Sequence, residues 1–213
     1  MFRTSALAVV AVTALAPIAS AAVVPARFSA SSSVMFGGDV FDFAGASRND
    51  FGLVSANLFS GDDVGTVETS LTASDSSLTI ASTMGVSAEF SGDSIGQGRY
   101  DFADSTTVAI DWSWLDLSVD GGWRILDSSG ATVASLTFLA GQFTAVGGDF
   151  MTAQAGFATV NLGAGTYNFV AFYEADTMPT SSNVTFSFGA IPAPGAIALL
   201  GAAGLVGSFR RRS

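Results

Sequence analysis

The chain has 213 residues, with 8 basic against 18 acidic side chains, and it contains neither Cys nor His. No disulfide can brace the fold, and histidine triads, histidine zinc ligands and imidazole acid–base chemistry are excluded. Every basic residue is Arg, and only Arg27, Arg48, Arg99 and Arg124 lie away from the two ends. A body so acidic repels nucleic acid and anionic lipid headgroups and favours cations, so no nucleic-acid partner is expected.

Residues 1–22 read as a secretory signal peptide. Arg3 supplies the charged n-region, Ala6 to Ala16 an apolar h-region, and Ala19-Ser20-Ala21 a small-x-small cleavage site. The apolar run is too short to span a bilayer, and Pro17 interrupts it. Export across the inner membrane is expected, with a folded domain over residues 27–190 and a separate segment over residues 191–213.

From Arg27 onward the pattern is that of strands. Segments rich in Val, Phe, Thr and Ser are separated by clusters of Gly, Asp, Asn and Ser, and no window sustains a helical apolar period. Val40 to Phe43 alternates, Phe51 to Phe59 is a second apolar stretch, and Gly61-Asp62-Asp63 turns into a strand from Val64 to Leu71. Ser77 to Phe90 fits one bent strand or two. Ser91 to Arg99, with Gly92, Gly96 and Gly98, reads as an irregular loop.

Val108, Ile110, Trp112 and Trp114 share one face of a strand by period two. Leu115, Leu117 and Val119 continue on the opposite parity, which predicts a β-bulge near Trp114. Asp120-Gly121-Gly122 reads as a hairpin turn into Trp123 to Leu126, and Asp127-Ser128-Ser129-Gly130 turns again into Ala131 to Leu139. Gly141 to Phe150 reads as a Gly-rich loop, and Phe157 to Leu162 as a strand that turns at Gly163-Ala164-Gly165. Tyr167 to Tyr173 is apolar on both faces and so belongs in the middle of a sheet. Val184, Phe186 and Phe188 alternate with Thr185 and Ser187 as the last strand. About ten strands in all predict an all-β fold, a β-sandwich of jelly-roll type.

Pro192 and Pro194 cannot extend a sheet, so they close the body. Gly195 to Phe209 is uncharged and reads as a short hydrophobic helix, ahead of Arg210, Arg211 and Arg212. Such a helix covers roughly 22 Å against a hydrocarbon core of about 30 Å. Snorkelling or bilayer thinning meets the difference, and the arginines stay on the cytoplasmic side.

With Pro192-Ala193-Pro194, the apolar segment and the terminal arginines in that order, the chain resembles the PEP-CTERM family of exported bacterial proteins. The resemblance implies a sorting signal recognised by an exosortase, a transpeptidase-like membrane protease acting near Pro192–Pro194. It implies delivery to the cell surface or extracellular matrix, association with exopolysaccharide and biofilm matrix, and a C-terminus that anchors in the membrane only until it is processed. Ala193 stands where the family has Glu. An ordinary C-terminal anchor is the alternative reading of the same residues. Leu162-Gly163-Ala164-Gly165-Thr166-Tyr167 also resembles a Leu-x-x-Gly-Thr-Tyr turn of secreted bacterial β-sandwich modules, which implies a fold and no activity.

Two groups of residues are candidates for chemistry. Trp112, Trp114 and Trp123, with Asp111 and Asp116, have the composition of a carbohydrate-binding platform, in which rings stack on sugar faces and carboxylates accept hydroxyl protons. The same tryptophans read better as core, where aromatic residues usually sit. The Asp-rich turns at Asp39 and Asp42, Asp62 and Asp63, Asp101 and Asp104, and Asp116 and Asp120 could supply oxygens to Ca2+. None has the spacing of a calcium loop, and Asp is favoured in turns anyway. Glu68, Glu89 and Glu174 fall in no catalytic motif, and Gly96-Gln97-Gly98 lacks the rest of a nucleotide fingerprint. The expectation is a non-catalytic protein, with a carbohydrate-binding module for exopolysaccharide as the alternative and a glycan-acting enzyme as the more remote one.

Overall fold

A computed structural model of the chain describes residues 23–37, 39–61, 64–87, 89–115, 120–139, 141–148, 154–175 and 179–190. The described residues form thirteen strands and no helix. In chain order they are β1 (Val23–Phe36), β2 (Asp39–Arg48), β3 (Gly52–Phe59), β4 (Gly65–Ala73), β5 (Ser77–Val86), β6 (Phe90–Phe102) and β7 (Thr106–Trp114). They continue as β8 (Gly121–Asp127), β9 (Thr132–Leu139), β10 (Gln142–Val146), β11 (Ala155–Leu162), β12 (Gly165–Ala175) and β13 (Thr180–Ala190).

Two antiparallel sheets pack face to face as a sandwich. One has seven strands in the order β10-β9-β8-β12-β6-β1-β2, and the other six in the order β11-β7-β13-β5-β4-β3. Alternation sets which side chains go between them. Leu78, Ile80 and Met84 of β5, Val108, Ile110 and Trp112 of β7, and Val184 and Phe186 of β13 are almost fully buried. They meet Phe28 of β1, Tyr100 of β6, Trp123 of β8, Phe138 of β9 and Phe169 of β12 from the other sheet. The contacts are mostly tilted or edge-to-face: Trp112 and Trp123 are 5.9 Å apart, Trp114 and Phe138 4.7 Å, Phe169 and Phe186 5.1 Å. Full burial of each such side chain stabilises by roughly 1.5–3 kcal/mol, and with no disulfide this core holds the sheets together.

One patch of the core is polar. Thr69 Oγ1 lies 2.8 Å from Ser32 Oγ, 2.6 Å from Ser94 Oγ and 2.8 Å from the Ser31 carbonyl, while Ser32 Oγ reaches the Ala56 carbonyl at 2.7 Å. Ser82 Oγ adjoins Ser94 Oγ. The four hydroxyls satisfy one another and two carbonyls, so their burial costs little.

Several expectations are corrected. Ser91 to Arg99 is no loop but the middle of β6, paired to β1 on one side and β12 on the other. Its glycines face inward, where a Cβ on Gly96 would come within 2.4 Å of Ile80 and one on Gly98 within 2.9 Å of Leu78 and Phe28. Glycine stands there because side chains of the opposite sheet, and Phe28 of the neighbouring β1, occupy the space. The Gly141–Phe150 segment contains β10, an edge strand paired to β9. Asp120-Gly121-Gly122 is not a hairpin turn: β7 and β8 lie in different sheets, and Gly121 and Gly122 already belong to β8. The registers of β7 with β11 and β13 run without a shift to its end at Trp114, so no bulge is present there among the described residues. β1 starts at Val23, ahead of the boundary expected at Arg27.

Other expectations hold. β12 lies inside its sheet, between β8 and β6, with Phe169 and Tyr173 buried and Phe172 half-buried on the outer face. The β8–β9 turn closes on Asp127, whose Oδ1 accepts hydrogen bonds from the Ser129 amide and hydroxyl and the Ala131 amide. Gly130 completes it with a φ of 85°.

Both ends of the sandwich leave from one pole. Val23 pairs with Phe102, Ala190 pairs with Thr106, and a short turn joins Phe102 to Thr106. The opposite pole, where the β1–β2 and β3–β4 turns lie, carries the exposed Phe36, Phe41 and Phe59.

Candidate functional site

The three tryptophans do not form a surface platform. Trp112, Trp114 and Trp123 are 1%, 2% and 0% exposed, and their rings contact one another, Phe138, Phe143 and Phe186 inside the sandwich. No ring face is available to a pyranose. Period two explains this, because Trp112 and Trp114 fall on the parity of Val108 and Ile110, which face the other sheet. Asp111 is on the opposite parity and exposed, beside exposed Phe157 of β11 and away from the three rings. Asp116 lies outside the described residues, as do Asp62, Asp63, Pro192, Ala193, Pro194, Arg210, Arg211, Arg212, the signal segment and the hydrophobic C-terminal segment.

Nor do the described acids converge on a cation. No group of three or more Asp or Glu side chains is held together among the described residues. Asp42 accepts from the Ser60 hydroxyl at 2.7 Å and its neighbour's amide, Asp101 accepts from Thr166, and Asp127 serves its own turn. They act as acceptors for local hydroxyls and amides.

The chemistry that does gather is on the outer face of the seven-stranded sheet. Registers place Arg27 of β1 opposite Arg99 of β6, and Arg99 opposite Asn168 of β12, which in turn faces Leu126 of β8. The next row outward-facing is Ser29, Gln97, Val170 and Arg124. Gln97 Nε2 donates to Ser29 Oγ at 2.9 Å, and the Arg124 guanidinium sits 4.9 Å from the centre of the Phe172 ring. Along the first row runs a groove of about 250 Å3, closed at one end by the β8–β9 turn and lined by Arg27, Ser29, Gln97, Arg99, Leu126, Asp127, Ser128, Gly130, Thr166 and Asn168. Three of the four body arginines thus share one face. The fourth, Arg48, is in an ion pair with Asp50 at 2.7 Å, which raises the arginine's pKa and lowers the aspartate's. Arg27, Arg99 and Arg124 form no ion pair among the described residues.

Sequence reasoning missed this face for a specific reason. Gln97 and Arg99 alternate with Gly96 and Gly98, and a glycine carries no side chain to mark the buried side. The usable signal was the i, i+2 spacing of Gln97, Arg99 and Asp101.

No protein-family profile matches the chain, and no characterised protein matches it in sequence. Among solved structures it is similar to the enzymatically active domain of bacteriophage CBA120 tailspike protein 4, at 12% identity and a TM-score of 0.29 over 64% of this chain. It is also similar to a GH26-CBM35 β-(1,4)-mannanase of Podospora anserina, at 15% identity and a TM-score of 0.22 over 68% of this chain. The chain spans 19% and 29% of those two proteins. At such TM-scores neither likeness bears on function.

Proposed function

We propose that this is an exported, non-catalytic protein of the cell surface or extracellular matrix, a β-sandwich of jelly-roll type carried there by a C-terminal sorting signal and released or transferred by an exosortase. The observation that carries the reading is the order of the chain around the sandwich. Among the described residues the strands run from Val23 to Ala190, between the segment read as a signal peptide and the Pro192-Ala193-Pro194 motif. Because Val23 and Ala190 leave from the same pole, a tether at Ile191 would present the opposite pole, with Phe36, Phe41 and Phe59, away from the membrane. A carbohydrate-binding module built on Trp112, Trp114 and Trp123 is disfavoured, since those rings fill the core.

The test is intact-mass analysis of the protein recovered from its native producer. A mature form that starts near Ala22 or Val23 and ends near Pro192–Pro194 is expected. A mature form retaining Arg210 to Ser213 would overturn the sorting reading and leave a plain anchor.

A further inference from the structure

Arg27 of β1 stands opposite Arg99 of β6 on the outer surface, next to an irregularity of the register between Pro25 and Arg27. Directly opposed residues on one face of an antiparallel pair have Cβ atoms about 4.5–5.5 Å apart, and like charges so placed are destabilising. The chain holds 18 acids, yet none forms an ion pair with either guanidinium among the described residues. Two carboxylates border the pair and form no ion pair with it among the described residues. Asp101, on the same face, takes the Thr166 hydroxyl, and Asp127, at the groove's end, takes three donors of its own turn, which holds its pKa below the usual carboxylate value.

Around the arginine pair the groove offers neutral donors and acceptors, one apolar side chain and, at its end, the Asp127 carboxylate. Gln97 and Asn168 bring amides, Ser29 and Thr166 hydroxyls, and Leu126 an apolar patch. A planar guanidinium binds a carboxylate through two parallel N–H···O bonds, and amides and hydroxyls exchange hydrogen bonds with sugar hydroxyls. The groove's volume, about 250 Å3, is of the order of a short ligand.

We propose that the groove between Arg27, Arg99 and Asn168 binds an acidic sugar, a uronate unit whose carboxylate sits between the two guanidinium groups. Gln97, Asn168 and Ser29 hold the ring hydroxyls. The anion removes the Arg27–Arg99 repulsion on binding, so the unliganded pair is a preformed site and costs the free protein some stability. This gives the displayed sandwich a ligand and so rests on the surface reading. The two fail separately, because sorting is read from the mass of the mature protein and binding from titration.

The experiment is calorimetric titration of the full chain, purified in detergent at about 0.15 M salt, with trigalacturonate, neutral galactotriose and inorganic sulfate. Trigalacturonate is expected to bind and galactotriose and sulfate to give no saturable heat at the same concentrations. Arg99→Gln and Arg27→Gln each weaken binding by roughly tenfold or more. Arg48→Gln, which removes the same charge away from the groove, changes affinity by less than about twofold. Without ligand, Arg99→Gln melts at or above the temperature of the parent chain, which separates loss of the site from loss of the fold. Absence of trigalacturonate binding would overturn the proposal. So would sulfate competing as well as the sugar acid, which marks a generic anion site, or equal losses from Arg48→Gln and Arg99→Gln.

Discussion

Gly96 of β6 lies directly beneath Ile80 of β5, close enough that a methyl group on the glycine would come within 2.4 Å of the Ile80 Cγ2. Gly98 stands in the same relation to Leu78 and Phe28, and Gly92 to Val67. This interior strand of the seven-stranded sheet is therefore thinned so that Val67, Leu78 and Ile80 of the other sheet can reach its backbone. Gly96→Ala is expected to cost about 1–3 kcal/mol through overpacking. Gly163→Ala, where only the Tyr167 hydroxyl lies as near as 4.0 Å, should be close to neutral. Urea denaturation of both variants checks this, and equal stabilities would remove the packing account of β6.

The Thr69 hydroxyl joins three strands, β1, β4 and β6, by contacts with Ser31, Ser32 and Ser94. Thr69→Val keeps the shape but removes the bonds that the hydroxyl makes to a carbonyl and two hydroxyls in a dry site. A loss of about 1–3 kcal/mol is expected, against a few tenths for Thr72→Val on the exposed face of β4. Thermal melts of the pair distinguish a polar clamp from idle burial.

Three buried tryptophans make a spectroscopic prediction. Emission should be blue-shifted, poorly quenched by acrylamide and unmoved by any sugar, and it should shift red only on unfolding. A ligand-induced shift in the native state would mean that Trp112, Trp114 or Trp123 reaches the surface after all.

Asp93 and Asp127 should respond to pH with opposite sign. Burial raises the Asp93 pKa above the ordinary value, and the Ser94 amide only partly offsets this. A raised folded pKa means that the folded state holds its proton longer than the unfolded chain does, so Asp93 lowers stability as pH rises through the carboxylate range and beyond. Asp93→Asn is expected to raise the melting temperature at pH 7 by roughly 1–3 °C and to make no difference once both states are protonated. Asp127 has a lowered folded pKa, held there first by the Ser129 hydroxyl and then by the Ala131 amide. Its contribution is present above the unfolded pKa and disappears as pH falls through the folded one, so Asp127→Ala should destabilise at pH 7 and not in strong acid. Melting curves from pH 2.5 to 7 would show both trends, and parallel curves for the two variants would contradict the assignment.

Much of the fold was legible in the residues. Runs such as Val108 to Trp114 and Val184 to Phe188 alternate because successive side chains of a strand point to opposite faces, and that is a local property. The Asp127 to Gly130 turn was legible for the same reason: an aspartate acceptor and a glycine that takes a positive φ are all it needs. Processing of the two ends was likewise inferred from local residue order alone, at Arg3 to Ala21 and at Ile191 to Ser213.

Tertiary structure decided what depends on a partner. Gly121 and Gly122 have hairpin chemistry, but β7 and β8 pair with different neighbours and the chain crosses between sheets. The aromatic density of Trp112 to Trp123 could have suited a surface or a core, and the second sheet, closing over those rings, made it a core. β6 looked like a loop because a glycine's fitness for a central strand lies in the side chains opposite it, here Val67, Leu78 and Ile80, which are distant in sequence. Arg27 and Arg99 are ordinary arginines along the chain. They become a site only when β1 and β6 align in a register that sets one against the other, a relation between two strands that the sequence of neither contains.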